Sequence, residues 1–233
     1  MEGPYLGQLE AVLHKQAPDV PVFNLVSNAP RGDPRLSAYL LAALAQQFPS
    51  GSVFLCVVDP GVGGSRLPVV LEADGRWLVG PDNGLFNTVA MQAMDARWRI
   101  IDWRPQRSSN TFHGRDLFAP IAAQIATGSF TWAYSPWVGP ALDAWLADLF
   151  EIVYFDHYGN ALTGLRYRPE FEGRQLIVGS RCISQVSSFC EAPEGNALWY
   201  RNSMDLVEVA INRGDAQQVL QLKLSDPLTW VEF

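Results

Sequence analysis

Apolar residues recur at helical spacing near the start of the chain, at Leu6, Leu9, Val12 and Leu13, which predicts a first helix over 5–15. A Pro-Asp break follows, and the apolar run VPVFNLV at 20–26 predicts a strand. The pattern turns helical again over 34–47, with Asp33 as N-cap, Pro34 at the first helical position, and Pro49 and Gly51 just beyond. SVFLCVVD (52–59) is a continuous apolar run that stops at a Pro-Gly turn, the pattern of a strand buried on both faces. LPVVLEA (67–73) and RWLVG (76–80) predict a hairpin across Asp74-Gly75, followed by a helix over 84–94, a strand over 98–103 and a helix over 117–127. This alternation predicts an α/β domain with a largely parallel central sheet.

The texture then changes. SFTWAYSPWVGPALDAWLADL is rich in Trp, Pro and small residues, and beyond it EIVYFD, NALTGLR, RQLIVG, LWYRNS, LVEVAIN and VLQLKL supply closely spaced candidate strands. That spacing predicts a smaller all-β barrel domain, with the boundary between 1–146 and 147–233.

Of the 233 residues 48% are hydrophobic and 18% charged, which fits a globular chain rather than a disordered one. With 17 basic against 24 acidic residues the net charge is −7, so a field that would gather a nucleic-acid backbone is lacking. Cys56, Cys182 and Cys190 are too few and too irregularly spaced for a disulfide framework or a zinc site, which favours a reducing, cytoplasmic setting. Eighteen consecutive apolar residues never occur, and MEGPYLGQLE does not read as a signal peptide, so membrane association is not expected.

Three polar-and-glycine clusters interrupt apolar runs where strands should end: VVDPGVGGSR (57–66), GPDNGLF (80–86) and NTFHGRD (110–116). Sites in open α/β sheets gather at such ends. Asp59 and Arg66 can face one another if the glycine-rich loop folds back, which Gly61, Gly63 and Gly64 permit; a tight turn with a surface ion pair is the alternative. The loop is not a nucleotide P-loop, because Lys-Ser or Lys-Thr does not follow the glycines. His113 and His157 are each either structural hydrogen-bonders or site residues, and His14 sits where a cation suits the end of a helix. Asp156 and Asn160 bracket a turn, and Asn202-Ser203 precede an alternating run; Asx-turn chemistry explains both without a ligand.

Taken together, VVDPGVGGSR, VGPDNGLF, TFHGRDLFAP, FDHYGN and NS-x-DLVEVAIN resemble, in order and spacing, the S-adenosylmethionine (SAM) hydroxide adenosyltransferase family, relatives of the bacterial fluorinase and chlorinase. The resemblance runs from Gly3 to Ala216. It implies an α/β domain plus a β-barrel, assembled as a homotrimer with the site between one subunit's first domain and its neighbour's second. It also implies metal-independent, cofactor-free hydrolysis of SAM to adenosine and methionine, with Asp59, Arg66 and His113 as the catalytic set. In that reading Arg66 and His113 hold and polarise a water while Asp59 orients both. Tyr5, Asn83, Phe112, Gly114, Asp156, Asn160 and Ser203 fall at substrate-contacting positions.

The halogenating relatives carry Tyr in place of His113 and Ser in place of Gly114, so the resemblance favours water over halide. Two departures stand out. The family normally begins with an apolar strand ending in Thr-Asp-Phe-Gly, whose Asp grips the ribose. Ahead of Glu2 that strand is absent, so either the sequence begins downstream of it or the protein lost it. Met204, Arg213 and Gly32 also stand where relatives carry other ligand-side residues. A non-catalytic SAM or adenosine-binding protein is therefore the alternative to the hydrolase, and a SAM-dependent halogenase a more distant one.

Overall fold

The structure, a computed structural model, describes residues 4–231. The chain divides into two units, Met1–Trp145 and Leu146–Phe233. In the first, helix α1 (Tyr5–Gln16) ends with His14 and Lys15 in its last turn, and α2 (Pro34–Ala45) starts where expected, with the Asp33 side chain accepting from the Leu36 amide at 3.0 Å. Between them the segment 20–26 is irregular rather than a strand. Pro18 and Pro21 remove donors and fix φ at its entry, and Phe23 is left 73% exposed.

One five-stranded sheet runs β1 (Val53–Leu55), β3 (Arg76–Pro81), β2 (Pro68–Ala73), β4 (Ala96–Ile101), β5 (Tyr134–Trp137) in spatial order. Only β1 and β3 pair in parallel; the other three ladders are antiparallel, so the expectation of a largely parallel sheet is corrected. The cause is local. The two-residue turn Asp74-Gly75, with φ of 48° and 76°, folds β3 straight back on β2. Strands β1, β3 and β4 share a direction, but β2 lies between β3 and β4 and runs against both. β1 is also shorter than the run 52–59 suggested, and although it is an edge strand both of its faces are packed, Phe54 into one core and Val53 and Leu55 against the other.

Pleating sends alternate residues of β2 and β3 to opposite faces. Val69, Leu71 and Leu78 pack with Phe54, Phe86, Val89 and Trp98 under α2 and α3 (Asn87–Gln92). Val70 and Val79 pack with Ile101, Leu117, Phe118 and Ile121, beneath α4 (Ala119–Ala126) and the π-helical turn Gly114–Phe118 that leads into it.

In the second unit β6 (Leu149–Phe155), β7 (Ala161–Arg166), β10 (Ala197–Arg201) and β11 (Leu206–Ile211) form an antiparallel sheet of order β10-β11-β7-β6. A second sheet orders β12 (Leu228–Trp230), β8 (Leu176–Val178) and β9 (Arg181–Ile183). Among the described residues only the single bridges Gln185–Trp199 and Glu151–Pro227 link them, so a closed barrel is not formed and that expectation is corrected. Trp199, Val207, Val209, Leu176 and Trp230 pack into one core instead. VLQLKL is not a strand either. Asp215 accepts from the Gln218 amide and caps the short helix α5 (Ala216–Val219), which consumes the start of that run.

Candidate active site

The first cluster is built at the end of β1. Beyond Leu55 the chain stays beside β3, the Cys56 amide donating to the Val79 carbonyl at 3.0 Å. Gly80 permits this approach, since a Cβ there would lie 2.3 Å from the Cys56 carbonyl oxygen. Asn83 then holds the next turn: its Nδ2 donates to the Val58 carbonyl at 2.8 Å and its Oδ1 accepts from the Leu85 amide at 3.3 Å. Each end of this amide, which the resemblance places at a substrate-contacting position, thus makes one hydrogen bond that fixes the backbone just before Asp59 and keeps one further N–H and one further lone pair.

The loop 59–66 folds back on itself. Arg66 Nε donates to both Asp59 carboxylate oxygens at 3.1 Å and its Nη2 donates to Oδ2 at 2.5 Å. Both side chains are buried, 9% and 4% exposed, so this is a desolvated ion pair and not the surface pair that spacing allowed. The Phe118 ring lies 5.4 Å from the guanidinium carbon.

Gly63 brings the second cluster in. It sits at φ 81°, and a Cβ there would stand 2.6 Å from the Asn110 carbonyl oxygen, so the 59–66 loop abuts the segment that carries His113. Arg66 Nη2 lies 2.9 Å from His113 Nδ1. A guanidinium can only donate, so Nδ1 accepts and the ring proton of the neutral imidazole resides on Nε2. Burial lowers the His113 pKa below its ordinary value, the Arg66 charge lowers it further, and Asp59 partly opposes both. His113 is therefore held neutral, with an N–H to offer.

The turn after His113 is braced from α1. Asp116 accepts from the Ser109 amide at 2.7 Å and from Arg115 Nε at 2.6 Å, while Arg115 Nη1 donates to Gln8 Oε1 at 2.9 Å. The Arg115 hydrogen bond is the main cause of the lowered Asp116 pKa. Arg115 also lies 5.0 Å above the Phe112 ring, whose centroid meets that of Tyr5 edge-on at 5.2 Å. Tyr5, Phe112 and Asp59 share the wall of a cavity of about 1310 Å³ that continues along the free edge of β1. At Gly114 an added Cβ would meet only ordinary contacts of 3.4–3.5 Å, so packing does not demand glycine there.

The second unit holds the other predicted contacts. Asp156 Oδ1 accepts from the Tyr158 and Asn160 amides at 2.8 and 2.9 Å, and its Oδ2 accepts from Asn160 Nδ2 at 3.0 Å. Asp156 and Asn160 are thus one Asx-type turn between β6 and β7. Ser203 lies exposed in the turn between β10 and β11. The register pairs Ala161 with Val209 but Arg166 with Leu206, so these two turns lie at opposite ends of β11. Among the described residues His, Cys, Asp and Glu do not gather in threes as metal ligands would, and helices long and apolar enough to cross a membrane are absent.

Sequence reading did not single out the bracing pair Gln8 and Arg115, for which sequence carries no signal across 107 positions. It also passed over Glu208, a carboxylate inside the apolar run LVEVAI that is only 5% exposed. That mismatch of charge and pattern was visible.

The sequence pattern of the SAM hydroxide adenosyltransferase N-terminal domain matches residues 1–133, and that of the C-terminal domain matches residues 150–229. An (R)-S-adenosyl-L-methionine hydrolase of Thermus thermophilus is 38% identical over 98% of this chain and 94% of its own, and one of Salinispora arenicola is 35% identical over 96% and 91%. The crystal structure of an uncharacterized conserved protein from Thermotoga maritima superimposes with a TM-score of 0.84 at 27% identity, covering 100% of this chain and 97% of that one. That of a conserved hypothetical protein from Thermus thermophilus gives 0.77 at 35% identity, over 99% and 95%. With its two domain patterns matched in order, the chain belongs to the SAM hydroxide adenosyltransferase family.

Proposed function

We propose that this protein hydrolyses S-adenosyl-L-methionine to adenosine and L-methionine, by in-line attack of water on C5′ and without a metal or other cofactor. The observation that carries the reading is the joined set Asp59–Arg66–His113, drawn from loops 47 positions apart into one hydrogen-bonded unit. The names of the relatives support the same activity. As the water oxygen bonds to C5′, the C5′–S electron pair passes to sulfur, methionine leaves as a neutral thioether, and the oxygen sheds one proton to solvent. The sulfonium needs no acid, so the protein's task is to present the nucleophile.

With Nδ1 engaged by Arg66, the neutral His113 ring lacks a free lone pair. It holds water by donating from Nε2 rather than by taking its proton, which refines the expectation of partial deprotonation. Asp59 fixes Arg66, and Arg66 fixes the tautomer. Positioning of this kind can supply roughly 7–11 kcal/mol of a barrier, and removing the nucleophile from bulk water adds to it.

The substrate's remaining contacts would come from Tyr5, Phe112 and Gly114 and, in the second domain, from Asp156, Asn160 and Ser203. Asn83 would act by holding the Asp59 loop. The family resemblance implies a homotrimer with each site shared between subunits; sedimentation at three times the 25.8 kDa chain mass would support this, and a fully active monomer would overturn it. Three free cysteines fit a cytoplasmic location.

The test is product analysis after incubation with SAM in halide-free buffer. Adenosine and methionine in equal amounts, lost in Asp59→Ala and His113→Ala, are expected. Binding of SAM with no turnover would move the assignment to a binding protein, and chloride-dependent 5′-chloro-5′-deoxyadenosine would move it to a halogenase.

A further inference from the structure

The second unit's main sheet carries a polar row in which Glu208 and Asn202 are buried and Tyr200 is half-buried. Tyr200 and Glu208 are directly opposite on β10 and β11, and the Tyr200 hydroxyl donates to Glu208 Oε1. Glu208 Oε2 accepts from Asn202 Nδ2 at 2.8 Å. Asn202, itself 8% exposed, turns its Oδ1 to the Met204 and Leu206 amides, both at 2.9 Å, while its own amide donates to the Leu206 carbonyl at 2.9 Å. The amide orientation is dictated chemically: the backbone N–H groups need an acceptor and the carboxylate needs a donor. The turn that results holds Asp205 at φ 62° and projects Ser203 outward.

We propose that Glu208, through Asn202 and with Tyr200, is a positioning residue that sets the 202–206 turn for substrate binding. This rests on the reading of the chain as a SAM hydrolase whose Ser203 turn meets the substrate. A buried carboxylate in the middle of a strand is costly unless it is used or fully satisfied. Leucine would fill this slot with less penalty if packing were all that mattered. Burial raises the Glu208 pKa, the hydrogen bonds from Tyr200 and Asn202 oppose that rise, and the Asp156 charge adds to it; burial and then Glu208 raise the Tyr200 pKa, with a smaller contribution from Asp156. The row thus lies within electrostatic reach of the other candidate ligand turn. Glu208 touches no reacting atom, so its removal should weaken binding without slowing the step itself.

The experiment compares wild type, Glu208→Leu, Glu208→Gln and Tyr200→Phe, each checked for a cooperative thermal transition. Glu208→Leu is expected to raise KM for SAM about tenfold or more with kcat within about threefold. Glu208→Gln should stay within about threefold of wild type in both, because its amide oxygen still accepts from Asn202 and its amide nitrogen meets a hydroxyl that can accept. Tyr200→Phe should fall between the two. Amide exchange at Met204 and Leu206 should quicken in Glu208→Leu while the amides of β7 keep their protection. An unchanged KM, or a loss confined to kcat, would overturn the proposal, as would unaltered exchange at those two amides. Should wild type show no turnover, the hydrolase reading fails, and the exchange data still decide whether Glu208 holds the turn.

Discussion

Gly63→Ala isolates the close approach of two loops on which the proposed catalytic set depends. Alanine at φ 81° carries a backbone cost of about 1–2 kcal/mol. Its Cβ would also stand 2.6 Å from the Asn110 carbonyl oxygen, against about 3.3 Å for a tolerated carbon–oxygen contact, so the loops must part by about 0.7 Å. Arg66 rides on one loop and His113 on the other, and their single link is 2.9 Å long. A misplacement near 1 Å costs about 100-fold in rate, so kcat/KM should fall by about 10–100-fold. The strain alone should lower Tm by only about 2–8 °C. Gly128→Ala is the control: it shares a positive φ of 71° but has no atom within 4 Å, so it should show the strain without the loss of activity. Steady-state kinetics and thermal melts on the three proteins decide the matter. Full activity in Gly63→Ala, or an equal loss in Gly128→Ala, would refute the reasoning.

Two further outcomes follow from the same geometry. Because burial and Arg66 lower the His113 pKa and Asp59 raises it, NMR titration should place the imidazole below about 6.5, higher in Arg66→Gln than in wild type and lower in Asp59→Asn; activity should be flat through neutrality and fall only on the acid side. A His113 that titrates above 6.5 would contradict the assigned tautomer. Asn83→Leu removes two hydrogen bonds from the turn before Asp59, costing about 1–3 kcal/mol of stability and lowering kcat more than it changes KM. A pure rise in KM would instead mark Asn83 as a substrate contact.

Local chemistry was legible in the sequence wherever a single residue type decides a conformation. Asp33-Pro34 set the start of α2, and Asp74-Gly75 set the β2–β3 turn. Ladder direction was not, because alternation of helix and strand fits equally a sheet in which one antiparallel strand is inserted between two that share a direction. Segment 20–26 and the run 219–224 have strand-like residues but meet no ladder, one spoiled by prolines and the other taken by the Asp215 cap. The proposed catalytic set was read from motif order; the burial of its ion pair, the tautomer of His113 and the hydrogen bonds at both ends of Asn83 are tertiary facts that spacing does not encode. Glu208 was legible in principle, as a carboxylate at an apolar position of LVEVAI.

Hydrolysis in water enriched in oxygen-18 tests the central claim most directly. If water attacks C5′, mass spectrometry should find one heavy oxygen in the adenosine 5′-hydroxyl and none in methionine, with both products absent from His113→Ala. Adenosine without the label, or no adenosine at all from a protein that binds SAM, would contradict the account.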